Sequence, residues 1–553
     1  MKKKKSNHKK SGKRSFKDKK DQRPPREERV AQKVETLKIG QINRDFKKRA
    51  VSFYAIIDRI MQTGGPTIFF AIDGTGTLAL KGFLKPGERA HPEINEGDAI
   101  FATVRVDEFN GELEGEIQTI QKLSEEPKQE ILQEIENTIR ERAKVSEVPF
   151  LIQSPILDKL KPSFIKAAHE IRLAILKNRP VIVRHHNDTD GYSSGYALER
   201  AILPLIEKQH GSSKAAWEFF QRAPCAAPFY EIDDSIRDTA TSLRNVAKFS
   251  NKIPLVIIAD NGSTPEDLLA IKHGKVHGMD FIVVDHHFFD TDVISKEVLA
   301  HINPFLVGEN GSAFSAGMLC VELARLINNN VQNVNEIPAL AGLADKIYLL
   351  NPEAVNAYLQ IAVNQGYTKE LLADISTVID YVSAKVRFME VREYIGVLFG
   401  EPRDRQKALV SLMAPHIREL DKKGLAIAKS TVKIKKIGKT TLQILDIDNT
   451  FPGFGFYPKP GRCTSLIHDD IQGAKDLDNV VSIGLMRTAI TIRATDAANF
   501  SVHDLILFLN EKSPHAFVAG GGHKNAGSIS FIPSKQEEIM DFFKDFVKSR
   551  QNS

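Results

Sequence analysis

Phe281-Ile282-Val283-Val284-Asp285-His286-His287 is the stretch that decides the fold of this 553-residue chain. Four aromatic or β-branched residues in an unbroken run predict a strand buried on both faces, the pattern of a parallel sheet. The run stops at an acid and two histidines. Two upstream stretches repeat the arrangement. Residues 180–184 lead into His185-His186-Asn187-Asp188-Thr189-Asp190-Gly191, and residues 254–259 into Asp260-Asn261-Gly262-Ser263. In open α/β sheets, ligands bind beyond the carboxyl ends of the strands. Three strand ends rich in Asp and His are therefore expected to converge. Packed carboxylates repel one another unless cations neutralise them. Oxygen and imidazole donors suit Mn²⁺, Mg²⁺, Zn²⁺ or Fe²⁺. These residues point to a multi-metal hydrolytic centre acting on phosphate esters.

Asp188 and Asp190 lie two residues apart across a turn, so their carboxylates can address two different metals. Gly191 lets the backbone fold tightly. Ser193 or Ser194 is expected to cap the helix that follows through Tyr196, Leu198 and Ile202. The Asp-Thr-Asp-Gly phrase alone is weak, since EF-hand loops contain it. A calcium loop fails here because its sixth position lacks glycine and an apolar helix follows. Asp260 could be a helix cap, but Thr264-Pro265-Glu266-Asp267 carries cap chemistry of its own. Adjacent histidines after a buried strand are costly without partners. His286 suits metal ligation with Asp285 orienting it, and His287 is placed to meet a substrate phosphate. A fourth carboxylate, Asp345, ends the apolar phrase Leu340-Ala341-Gly342-Leu343-Ala344.

The rest of the chain divides around this core. The net charge is +6, but residues 1–30 alone carry 14 Lys/Arg against 4 Asp/Glu, leaving the remainder slightly acidic. Residues 1–35 are therefore expected to be a disordered basic tail that tethers nucleic acid through phosphate attraction. Residues 36–124 predict five strands, at 51–60, 67–72, 77–83, 99–106 and 113–122, with Gly/Pro/Asp turns between. Five strands in so short a segment suggest an OB-type barrel. Its candidate nucleic-acid contacts are Phe53, Phe69, Lys81, Phe83, Arg105 and Phe109, because aromatics stack on bases and cations follow the backbone. Residues 125–148 predict a connecting helix. Residues 149–400 alternate strand and helix and become mainly helical after Pro352. Residues 401–424 are expected to be a linker, and residues 425–550 a second α/β unit containing Gly520-Gly521-Gly522-His523. Cys225, Cys320 and Cys463 are isolated, which fits a reducing cytoplasm. No stretch is apolar enough to predict a membrane span.

In order and content, the Asp-Thr-Asp-Gly, Asp260, Asp-His-His, Asp345 and Gly-Gly-Gly-His elements resemble the DHH phosphoesterase superfamily. The likeness spans about residues 150–550 and is greatest to archaeal RecJ-like single-strand exonucleases. It implies an α/β fold: an OB-type barrel, then a DHH parallel-sheet domain and a smaller DHH-associated α/β domain. It implies His186, Asp188, Asp190, Asp260, His286 and Asp345 as metal ligands, with Asp260 bridging. At the variable first position His186 is the candidate ligand, with its neighbour His185 as the alternative. His287 and Asp285 take catalytic roles. Arg493, Gly520, Gly521, Gly522 and His523 are implied as phosphate-gripping residues. The expected cofactors are two divalent ions, Mn²⁺ first and Mg²⁺ as the alternative. The expected partners are single-stranded nucleic acid and, beyond it, replication or repair proteins. Oligoribonuclease or cyclic-dinucleotide phosphodiesterase activity is the alternative enzyme reading, and a non-catalytic scaffold is the third.

Overall fold

The computed structural model describes residues 34–225, 227–385, 392–452, 456–475 and 477–550. Most of the basic tail, residues 1–33, lies outside them.

The five expected barrel strands form as Ala50–Gln62, Thr67–Ile72, Thr77–Gly82, Ala99–Phe109 and Glu112–Lys122. A second pairing between Ala50–Gln62 and Ala99–Phe109 closes the sheet. Closure removes the exposed edges that a five-stranded sheet would otherwise carry. Inward residues alternate along each strand, and this corrects two expectations. Phe53 and Phe69 are both 0 % exposed and fill the barrel core with Val51, Leu80 and Val104. Their parity on the pleat points them inward, so neither can stack on a base. Phe83 and Phe109 instead stand on the surface, 61 % and 57 % exposed.

The barrel is docked on the next domain. Arg59 reaches Glu218 and lies over the rings of Phe70 and Phe219. Asp58 accepts from Asn178 Nδ2 at 3.1 Å and pairs with Lys252. The Glu125–Ala143 helix packs Ile135 and Ile139 against Ile56 and Ile72 of the barrel and Leu176 of the domain that follows.

Five parallel strands form the central sheet, in the order Ala300–Ile302, Asp280–Val284, Leu255–Ala259, Val181–His185 and Phe220–Pro224. The three motif strands are thus immediate neighbours. Alternate residues feed two cores, with Val183, Ile257 and Ile282 on one face and Ile182, Val256 and Phe281 on the other. This explains the continuous apolar runs. Register does the positioning: Val284 pairs with Ala259, and Ala259 with His185. The next residues, Asp285, Asp260 and His186, consequently leave the sheet side by side at one edge.

Most of the expected linker, residues 401–424, is helical. Residues 403–424 lie within the 29-residue helix Arg403–Thr431, which Pro402 precedes as its cap. Its buried positions, Val410, Ala414, Ile417, Asp421, Gly424 and Ala428, recur every three or four residues, which is a helical stripe rather than a loop pattern. The C-terminal unit is a six-stranded mixed sheet ending in Ala519–His523, with the Val502–Lys512 and Gln536–Ser549 helices sharing its core. Among the described residues, no helix is long and apolar enough to cross a membrane.

Candidate metal centre

Asp188 caps the Thr189–His210 helix, accepting from the Gly191 amide at 2.9 Å. The helix therefore starts earlier than expected, and Ser193 and Ser194 are buried within it rather than capping it. Asp190 lies in the first turn. Gly191 is needed for space, because a Cβ there would overlap the His186 backbone carbonyl.

Asp260 adopts φ 59°, a left-handed conformation that costs a non-glycine residue energy and is tolerated where surroundings enforce it. Its amide donates to Val284 O at 2.9 Å, which fixes the turn. Thr264 and Asp267 form the capping box of the short helix that follows, so Asp260 is free of that duty.

These elements gather six side chains. His286 Nε2 lies 3.3 Å from Asp260 Oδ1, 3.3 Å from Asp345 Oδ2 and 3.8 Å from Asp190 Oδ2. His186 Nδ1 lies 2.8 Å from Asp188 Oδ2 and 3.6 Å from Asp260 Oδ2. Two ligand triads result, His186–Asp188–Asp260 and Asp190–Asp260–His286, each with its donor atoms within 4.8 Å, and Asp260 is common to both. Of the two neighbouring histidines, His186 is the one whose ring reaches the carboxylates. His185 is fully buried beside Tyr192, with Nδ1 2.7 Å from the His186 carbonyl. Burial and the nearby Arg222 cation hold the His185 imidazole neutral, with its pKa lowered to about 3.

Electrostatics mark the cluster as incomplete without cations. Burial, then repulsion from Asp190 and Asp188, pushes the Asp260 carboxyl well above its usual range. Burial and Asp190 do the same to Asp345. Both His286 ring nitrogens and Asp260 Oδ2 are buried without a hydrogen-bond partner. Orphaned buried donors and acceptors among crowded carboxylates are what a divalent ion would satisfy, so the residues fit one.

Asp285 serves a different histidine from the one expected. Its Oδ1 faces His287 Nδ1 at 2.8 Å and accepts the amides of His286 and His287, while Oδ2 accepts from Ser263 N at 3.1 Å. It orients His287 and leaves the His286 ring to the acidic cluster. Despite burial, the neighbouring His287 draws the Asp285 carboxyl far below its usual range. Asn303 Nδ2 donates to the His287 carbonyl at 3.0 Å and to Ser263 Oγ at 2.9 Å, extending the brace.

The C-terminal unit contributes His523, whose ring stacks on His287 with centroids 4.7 Å apart and approaches His286 at 5.0 Å. Burial, then the His287 and His286 charges, lowers its pKa well below the usual imidazole value. Arg493 is half-buried, with Nε on Ser465 Oγ at 3.0 Å and Nη1 on Ile492 O at 2.8 Å, so its polar partners lie in its own domain. The glycines divide. A Cβ on Gly520 or Gly522 would collide with the backbone of the paired strand Ala526–Ser530, so these two permit close strand pairing. Only Gly521 has open space where a side chain would stand.

Several participants escaped the sequence. The amides of Ala316 and Gly317, at the start of the Ala316–Ile327 helix, hold Asp190 at 2.8 and 2.9 Å. The available signal was Ser315, a helix cap preceding two small residues. Lys459 bridges the domains, its Nζ 2.7 Å from Ser383 Oγ and 3.3 Å from Asn187 O. Nothing in its local sequence announces this.

An uncharacterized protein of Methanocaldococcus jannaschii, MJ1198, is 33% identical over 533 residues, covering 91% of this chain and 69% of the relative. A solved DHH domain, PF0399, described as belonging to a family of ribosomal proteins, is 35% identical with a TM-score of 0.72. It covers 77% of this chain and 99% of the domain. A manganese-bound RecJ exonuclease is a remoter likeness, at 13% identity and a TM-score of 0.45, covering 72% of this chain and 96% of that one. No protein-family model matches the chain.

Proposed function

The chain belongs to the DHH-domain family, and from that membership we propose that it is a metal-dependent phosphodiesterase removing nucleotides from the ends of single strands of DNA or RNA. The observation that carries this reading is the pair of ligand triads sharing Asp260, with His523 of the C-terminal unit stacked on His287 and 5.0 Å from the His286 ring. His186, Asp188, Asp190, Asp260, His286 and Asp345 would hold two divalent ions, Mn²⁺ or Mg²⁺. When bound, such ions acidify water and neutralise phosphoryl charge. His287, fixed by Asp285, is placed to donate to a phosphoryl oxygen as charge develops there. His523 closes the site from above, and Gly521 leaves its face of the cap open to a strand. A cap resting this near the ligands favours a single strand end over a duplex.

Degradation of end-labelled single strands, duplexes and RNA tests the reading. The expected result is stepwise shortening of single strands with Mn²⁺ and none in EDTA. Internal cuts, or equal attack on duplex, would rule the exonuclease out.

One observation favours a second reading, hydrolysis of short oligoribonucleotides. Two of the barrel's cations are already neutralised, Lys81 by Glu114 at 2.6 Å and Arg105 by Glu116. The barrel surface must then grip a strand mainly through Phe83 and Phe109, the latter over Lys81 Nζ at 4.2 Å. Stacking contributes about 1–3 kcal/mol per base. Replacing both aromatics by alanine should therefore weaken binding of a 30-nucleotide strand by about tenfold or more, leaving turnover of a trinucleotide unchanged. Filter binding and initial rates measure both. Unchanged affinity would favour the short-substrate reading.

A further inference from the structure

A cleft of about 460 Å³ opens where the connecting helix meets the catalytic domain. Its walls are the last turn of the Glu125–Ala143 helix, the Pro155–Leu176 helix and the far end of the Thr189–His210 helix. It is remote from the metal centre. Lys208 stands eighteen residues beyond Asp190 on one helix, about 27 Å along its axis.

The cleft is cationic without matching acids. Arg142, Lys144, Arg172 and Lys208 line it, and the one acid, Glu141, is paired with Lys144 at 2.7 Å. Arg172 donates to the carbonyls of Arg142 at 2.6 Å, Ile327 at 2.7 Å and Ala143 at 3.3 Å. Arg142 donates to the Gly74 carbonyl of the barrel and to Gln209 Oε1 at 3.1 Å. Among the described residues, neither guanidinium has a carboxylate partner. Burial lowers the pKa of both, and Arg172 depresses that of Arg142 further. The acid that Arg142 feels, Asp73, is already engaged by Thr75 and the amides of Ile39 and Gly76. Bracing helix ends accounts for the three carbonyl bonds of Arg172. It does not account for the open volume, nor for like charges held side by side, half-buried. Such charges call for an anion. Ile175, Leu176 and Leu205 supply an apolar floor, and the volume suits a mononucleotide.

We propose that this cleft is a second, metal-independent binding site for a nucleotide unit, with the base on the apolar floor and its phosphate groups among Arg142, Arg172, Lys144 and Lys208. The unit can come from a free nucleotide or from a strand bound to the enzyme.

Calorimetric titration of the full chain with ATP in EDTA tests this, since the metal centre is silent there and the outcome is independent of the proposed catalysis. One ATP should bind per chain. The exposed double variant K144E/K208E should weaken binding by roughly tenfold or more while leaving metal-dependent turnover of a trinucleotide intact. R142Q, which retains a donor for the Gly74 carbonyl, should weaken it as well. If a 30-nucleotide strand displaces ATP and also binds K144E/K208E less tightly, the occupant is the strand's own phosphates. If ATP stays bound beside the strand, the occupant is a free nucleotide. Absence of ATP binding together with unchanged strand affinity in K144E/K208E overturns the proposal, as does ATP binding unchanged in both variants.

Discussion

Asp260→Asn should reduce phosphodiester hydrolysis by at least about a thousandfold while leaving the fold intact, because both ligand triads depend on the Asp260 carboxylate. Asparagine is the informative replacement. Asp260 occupies a left-handed conformation at φ 59°, and asparagine is among the few residues that accept it at low cost. Alanine there would add backbone strain and confuse a chemical defect with a structural one. In the metal-free protein the substitution also replaces a buried carboxyl, crowded by Asp190 and Asp188, with a neutral amide of the same shape. The apo melting temperature should therefore not fall. What should vanish is the rise in melting temperature on adding Mn²⁺, since stabilisation by a ligand scales with its affinity for the folded state. Near-normal turnover, or a retained Mn²⁺-dependent shift, would show that Asp260 does not join the two ligand sets.

The convergence of these residues was legible in the sequence because parallel strands buried on both faces are continuous apolar runs, and each such run ended in ligands. Three neighbouring strands in register then put Asp285, Asp260 and His186 at one edge without further information. The barrel strands were legible for the opposite reason: alternation and turn residues bound them closely. Alternation also held the answer on Phe53 and Phe69, whose inward parity was visible once closure of the barrel was assumed. What remained hidden depended on contacts between distant segments. The amides of Ala316 and Gly317 reach Asp190 from 126 and 127 residues away. Lys459 touches Asn187 from a different domain. The choice between His185 and His186 turned on which ring the start of one helix buries. Residues 401–424 looked like a linker because Gly400-Glu401-Pro402 masks the helical stripe that begins just beyond.

The two histidines of the motif should separate by phenotype. His286 faces Asp260, Asp345 and Asp190 with both ring nitrogens otherwise unpartnered, the setting of the proposed ligand. His287 is oriented through Nδ1 by Asp285 and stacks on His523, the setting of the proposed substrate contact. His286→Ala should therefore lose bound metal, measured by elemental analysis after gel filtration, and lose activity with it. His287→Gln should keep its metal and lower kcat by about 10²–10³-fold, the usual consequence of removing one preorganised donor. Asp285→Asn refines the assignment. If Asp285 acts through His287, its loss should lower kcat with metal content preserved, and combining it with His287→Gln should cost little more than either change alone, because residues acting as a unit are not additive. Equal metal loss in His286→Ala and His287→Gln would instead make His287 a ligand, through the Asp260–Asp285–His287 group that the same geometry contains. Full additivity of Asp285→Asn and His287→Gln would detach Asp285 from His287 and leave it as a support for the turn through Ser263.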